Sequence, residues 1–287
     1  MGKEIQMKKS TEHQLMLEAA KARLLAVQMV YDAASGHPGG SLSCLDVLTT
    51  LYCDVMNIDP QNPKDPNRDR FVMSKGHCSP ALYSVLALRG FFPVEELKQF
   101  RSIDGNMSGH VEMSVAGVDM STGSLGQGIS VAVGMALAGK IQNKNYRVYA
   151  ILGDGEINEG QVWEAMMSAA KYKLDNLCAC VDVNGLQIDG KTSDVMPTEP
   201  LDKKFEAFGW NVIKIDGHDF NEIEKAYKKA MTVKDRPTMI LAQTIKGKGV
   251  SFMENEAGWH GKAPNAEQFE QAKAELEAHC KELECVK

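Results

Sequence analysis

The chain has 287 residues, 44% hydrophobic and 24% charged, with a formal charge of −6 at pH 7. That composition lies near the globular average and supplies enough apolar residues for a sizeable core, which excludes a disordered chain. The negative balance speaks against a nucleic-acid or anionic-membrane surface.

In chain order, Thr11 and Gln14 fit a capping box, and Leu15, Ala19, Ala22, Ala26 and Met29 recur at helical spacing behind it. Gly36 stands where a C-cap glycine belongs, followed by Pro38. A second helix is expected to start near Ser41 or Ser43. The stretch 70–74 reads as a short strand, and Ser79-Pro80 opens another helix. The longest apolar run, 129–139, is shorter than the roughly 20 residues a membrane span needs. The strongest strand signal is 147–152, followed by a helix over 158–173 with Val162, Ala165, Met166 and Ala169 on one face. Further strands are expected at 177–183, 210–215 and 237–244, with a helix over 221–231 and a helical tail over 266–287. Strands spaced by helices imply a doubly wound α/β domain with a mainly parallel sheet, spanning 1–287 as one unit. No apolar signal segment follows the N-terminal lysines. The seven cysteines include no CxxC pair, and Cys178 and Cys180 alternate inside a strand-like run. Reduced core thiols in a cytoplasmic protein are therefore expected.

Gly153-Asp154-Gly155 ends one strand and precedes a helix, and Asn184 ends the next strand with 28 residues between Gly155 and Asn184. A βαβ crossover of that length brings Asp154 and Asn184 to one sheet edge, where open α/β sheets bind ligands. A carboxylate, an amide oxygen and a backbone carbonyl just after Asn184 form a hard oxygen set suited to Mg²⁺ or Ca²⁺, with positions left for phosphate oxygens. Turn residues at two strand ends are the plain alternative, which the spacing across a strand–helix–strand unit disfavours. This pattern resembles the thiamin-diphosphate fingerprint.

Gly36-His37-Pro38-Gly39, Ser74-Lys75-Gly76-His77, Gly109-His110 and Trp259-His260-Gly261 each place a histidine in a glycine-flanked, turn-like context. Zinc explains them poorly, because no short ligand pair accompanies them. With 35–40, 74–77, 122–128, the GDG…Asn element and His260 in this order, the sequence resembles the N-terminal, diphosphate-binding domain of transketolase from about residue 10 to 265.

The resemblance implies that thiamin diphosphate is the cofactor and that Asp154, Asn184 and the Leu186 carbonyl ligate the metal. It implies that Gly155, His77 and His260 contact the diphosphate, that Gly123 and Leu125 lie beside the aminopyrimidine, and that Ile188 is an apolar cofactor contact. His37, His110 and His260 match positions that line the donor sugar and assist proton transfers, work suited to groups titrating near neutral pH. Glu159 matches a position that reaches across the subunit interface.

The chain departs from the family pattern in carrying Ser124 and Val111 where proline is common, and Glu156, to which the resemblance assigns no role, after GDG. A larger departure is length: nothing here corresponds to the pyrimidine-binding domain, whose glutamate activates the cofactor, or to most groups that grip the sugar phosphate. The resemblance therefore implies the N-terminal subunit of a split transketolase. It would move a two-carbon ketol unit from a ketose phosphate to an aldose phosphate, in an α₂β₂ assembly with a partner carrying the pyrimidine-binding and C-terminal domains. A split enzyme for a sulfo-sugar or a branched sugar phosphate is the near alternative, and a non-catalytic cofactor-binding module a more distant one. A nicotinamide dehydrogenase is disfavoured, since no GxGxxG follows an early strand.

Overall fold

The computed structural model describes residues 12–285. In chain order the helices α1 (Glu12–Asp32), α2 (Pro38–Ser43) and α3 (Leu45–Thr50) lead to strand β1 (Arg70–Met73) and helix α4 (Ser79–Leu88). Helix α5 (Gln127–Ile141), strand β2 (Val148–Gly153), helix α6 (Gly160–Lys171) and strand β3 (Leu177–Val183) follow. Next come a small hairpin, β4 (Leu186–Gln187) with β5 (Gly190–Lys191), and helices α7 (Thr192–Val195) and α8 (Leu201–Ala207). Strand β6 (Asn211–Asp216), helix α9 (Phe220–Thr232), strand β7 (Thr238–Gln243) and helix α10 (Ala266–Cys285) complete the described chain.

Five strands pair in the order β1-β2-β3-β7-β6, all parallel. Alternate side chains leave opposite faces of this sheet. Phe71, Tyr149, Ile151, Cys178 and Cys180 join one core with α1, α3, α4, α9 and α10. Val72, Val148, Ala150, Leu152, Ala179 and Val181 join the other with α5, α6 and α8. Burial on both faces is why the strands read as continuous apolar runs, each large side chain contributing about 1.5–3 kcal/mol. Cys178 and Cys180 are buried thiols, as expected. Among the described residues no helix is long and apolar enough to cross a membrane.

The first helix carries its expected apolar face, although Thr11, half of the expected capping box, lies outside the described residues. Gly36 is not its C-cap. Ala34 takes the left-handed position at φ 48°, and the Ser35 and Ala34 amides close back on the Val30 and Tyr31 carbonyls at 3.2 and 2.9 Å. This is a Schellman ending, formed two residues earlier than the glycine suggested. The second helix starts at Pro38 rather than Ser41 or Ser43, because proline's fixed φ suits a first helical position. The helix expected over 158–173 is shorter, since a 3₁₀ turn, Gly155–Asn158, intervenes before α6. Helix α5, α8 and the β4–β5 hairpin were not anticipated as elements.

Buried polar groups tie these layers together. Arg23 on α1 donates two hydrogen bonds of 2.7 Å to Asp46 on α3. His218 Nδ1 lies 2.7 Å from the same carboxylate, while its Nε2 accepts the Ile245 amide at 2.9 Å. The proton therefore resides on Nδ1 and points at Asp46. This network fixes the segment after β7 that carries Lys246 into the cleft described next.

Candidate active site

The chain leaves β3 toward the α8 layer and leaves β7 toward the opposite layer, where Val250, Met253 and Trp259 are buried. Connections that diverge in this way open a crevice at the carboxyl ends of the strands. A cleft of about 310 Å³ opens there. Every residue expected at cofactor, metal or substrate lines it except Glu159, which is exposed at the N-cap of α6 and makes no capping hydrogen bond through its side chain.

The floor is made of buried charges. Asp154 accepts the Gly155 and Gly185 amides at 2.8 and 2.6 Å. Burial, with the nearby Asp182 carboxylate, raises its pKa to about 6. Lys246 acts against that rise without reversing it. Asn184 donates to Asp182 at 3.0 Å, and its oxygen accepts the Leu186 amide at 3.1 Å. Asp182 in turn binds Lys75 at 2.6 Å, with Ser43 donating at 2.6 Å and Thr244 donating to its other oxygen. Against the cost of burial, this pairing holds Lys75 well above and Asp182 below its ordinary pKa.

The rim is made of histidines. The ring centroids of His37 and His77 lie 5.2 Å apart, those of His37 and His260 5.6 Å, His77 and His260 5.0 Å, and His37 and His110 5.8 Å. Loops after α1, β1, α4 and β7 thus bring four distant segments to one mouth. Among the described residues no group of three or more His, Cys, Asp or Glu is arranged to hold a metal ion. Burial lowers three of these histidines below their ordinary value. Desolvation and then His77 lower His37 to about 4, and desolvation and then Lys246 lower His260 to about 3. Desolvation also lowers His110. The neutral His260 accepts from Lys246 Nζ at Nδ1, 3.2 Å away, which leaves its proton on Nε2.

Several cleft residues had no assigned role in the sequence. Lys246 is buried, its pKa lowered by desolvation, and a lysine between glycine-containing turns after a strand was the available signal. Asp182 was visible as an acid inside an apolar strand. Glu156 is 2% exposed and bridges three segments. Gln187 Nε2 and His37 Nδ1 are buried without a hydrogen-bond partner, polar atoms left for a ligand. Gly123 has a matching constraint, since a Cβ there would stand 3.3 Å from the His110 ring.

The fold is a parallel α/β sheet with carboxylate, amide and cationic groups gathered at its switch point, the place where such sheets bind ligands. The chain belongs to the transketolase family: the family model described as transketolase, thiamine diphosphate binding domain, matches residues 14–285. The chain is 44% identical to an apulose-4-phosphate transketolase subunit of Phocaeicola vulgatus, over 94% of this chain and 96% of that one. It is 47% identical to the 6-deoxy-6-sulfo-D-fructose transketolase subunit SqwG of a Clostridium species, over 92% and 96%. Human transketolase is 44% identical over 85% of this chain, which spans 39% of that protein. The crystal structure of Campylobacter jejuni transketolase superposes with a TM-score of 0.86 at 36% identity, covering 94% of this chain and 45% of that one.

Proposed function

We propose that this chain is the diphosphate-binding subunit of a split transketolase, which transfers a two-carbon ketol unit between sugar phosphates only when a partner subunit supplies the pyrimidine-binding domain. The observation that carries the reading is the convergence of four histidines above a floor of buried carboxylates in a chain that matches two transketolase subunits over 96% of their length.

The donor set fits the cofactor. Asp154 is a buried carboxylate whose pKa stays raised although Lys246 acts against the rise, and Gln187 Nε2 and Lys246 are polar groups directed to the same cleft. Asp154, Asn184 and the Leu186 carbonyl would hold Mg²⁺ or Ca²⁺ against the diphosphate, with Gly155, His77, His260 and Lys246 donating to its oxygens. When bound, thiamin diphosphate supplies the carbon nucleophile. Gly123, Leu125 and the exposed Ile188 flank its apolar parts. His37 and His110 present neutral imidazoles to the sugar hydroxyls, able to accept or donate a proton, and His260 presents its Nε2–H as a donor. An anion bound beneath them favours their cationic form, which moves their titration back toward neutral pH. Glu159, exposed at the α6 N-terminus, faces the partner, and the assembly is α₂β₂ in the cytoplasm.

The relatives at 44% and 47% identity favour a second donor class, since their names specify apulose-4-phosphate and 6-deoxy-6-sulfo-D-fructose. The test is to assay the chain alone and with its partner, given thiamin diphosphate, Mg²⁺ and ketose donors with either a phosphate or a sulfonate. Transfer only in the two-chain sample is expected. Robust transfer by the chain alone overturns the split-enzyme reading, and donor preference decides the sugar class.

A further inference from the structure

The segment that carries Gly123 and Leu125 into the cleft is held at its two ends in different ways. Thr122 is pinned by its own chemistry: its hydroxyl donates to the Met73 carbonyl at 2.6 Å and its amide to the Val111 carbonyl at 3.0 Å. The other end is pinned by a residue far away in sequence. Glu156 Oε1 accepts the Gly126 amide at 2.9 Å and the Ser74 hydroxyl at 2.5 Å, while its Oε2 accepts the Gly153 amide at 3.0 Å. Between those anchors the backbone has one long hydrogen bond, from the Gln127 amide to the Ser124 carbonyl at 3.4 Å. Ser124 imposes no restriction on φ of the kind proline would.

Gly126 also takes a left-handed φ of 80°, and a Cβ there would come 2.7 Å from the Glu159 side chain. The turn into α5 is therefore tight, and its amide faces inward to a carboxylate that is 2% exposed. One carboxylate thus joins the end of β1, the GDG turn after β2 and the start of α5.

We infer that Glu156 is a positioning residue that holds the 123–125 segment at the cofactor cleft and thereby sets cofactor affinity without touching the reacting atoms. The inference rests on the transketolase reading for its ligand, and on the hydrogen bonds alone for its effect on the segment. In the assembled enzyme, Glu156→Ala raises the thiamin diphosphate concentration for half-maximal activity by about tenfold, the scale of one lost charge-assisted hydrogen bond. At saturating cofactor kcat stays within about twofold, the signature of lost binding rather than lost chemistry. Glu156→Gln gives an intermediate shift, because an amide retains one acceptor oxygen but sets an N–H against the Gly153 N–H.

A second readout needs no activity. Hydrogen exchange of the Gly126 amide in the full chain accelerates in Glu156→Ala and less in Glu156→Gln, with exchange in β6 and β7 unchanged. Faster exchange at Gly126 together with a shifted cofactor dependence supports the inference. Unchanged Gly126 exchange overturns it whether or not the chain is a transketolase. Faster exchange with wild-type cofactor dependence overturns the link to affinity. Absence of transfer in the wild-type assembly counts against the functional reading instead, and leaves the exchange result to decide the role of Glu156.

Discussion

At the floor of the cleft, Lys75, Asp182, Asp154 and Glu156 are buried at the ends of paired strands, each held by at least two hydrogen bonds. At the rim, His37, His77, His110 and His260 come from four separate loops, and His37 Nδ1 has no partner among the described residues. The floor spends folding free energy to fix charges in place, while the rim keeps polar atoms uncommitted. On the proposed reading, the sheet would preorganise metal and diphosphate binding, whereas proton handling would fall to groups whose state a ligand still determines.

The sharpest way to break that contrast is to strand a charge in the floor. Lys75→Met leaves Asp182 unpaired in the core, and the chain should lose about 3–5 kcal/mol in denaturant unfolding. Adding Asp182→Leu to the same chain should restore much of that loss, since removing both partners removes the stranded charge. Recovery that fails to appear means the pair is not the source of the loss.

Asp154→Ala acts on binding. It should weaken metal-dependent thiamin diphosphate retention in the assembled enzyme by more than the ~100-fold upper range for losing an outer-shell metal partner. Unchanged retention in equilibrium dialysis removes Asp154 from the metal set. At the rim, His110→Ala should lower kcat/KM about tenfold or more, as loss of a proton-transfer or hydroxyl contact does. Because His110 is exposed, its unfolding midpoint should barely move. Wild-type kinetics on every donor would place His110 outside the reaction.

The rim also predicts a pH dependence. His37 and His260 have folded pKa values of about 4 and about 3, below their ordinary 6.5. Between those values and 6.5 the unfolded chain binds more protons, so stability rises with pH there. The contribution is full above about 6.5 and is lost as pH falls through the folded values. Thermal scans of the cofactor-free chain from pH 7 to 4 should show this decline, reduced in a His37→Gln, His260→Gln double variant. Saturating thiamin diphosphate with Mg²⁺ should also reduce it.

Of the floor, Asp154 and its neighbour Asn184 were legible in the sequence because a strand–helix–strand spacing fixes where they must meet, whereas Lys75 and Asp182 carried no assigned role. The four rim histidines were all named from the order of whole motifs, since nothing in the spacing of His37, His77, His110 and His260 by itself says that their loops converge. Lys246 and Glu156 were missed for a related reason: their partners, His260, Ser74 and Gly126, are distant in sequence. The stretch behind α5 mixes glycine, alanine and valine, so its apolar residues show no clear period, and the two-residue strands of the β4–β5 hairpin are too short to show alternation. Ala34 displaced Gly36 at the end of α1 because the Schellman hydrogen bonds outweigh the modest cost of one left-handed alanine.

The strand order carries a consequence for how the chain is made. Strand β3 pairs on one side with β2 and on the other with β7, Cys178 opposite Thr238, and β1 pairs with β2 through Arg70 opposite Val148. These contacts close long loops, the topology associated with slow folding. During synthesis, β3 leaves the ribosome before its second neighbour exists. An apolar strand then stands with one unpaired edge until β6 and β7 follow, the kind of exposed edge that invites intermolecular pairing. The cleft, which draws on β2, β3 and the loop after β7, is assembled last. Ligand binding can stabilise only the finished sheet, and gives the nascent chain no protection before Lys246 and His260 have been translated.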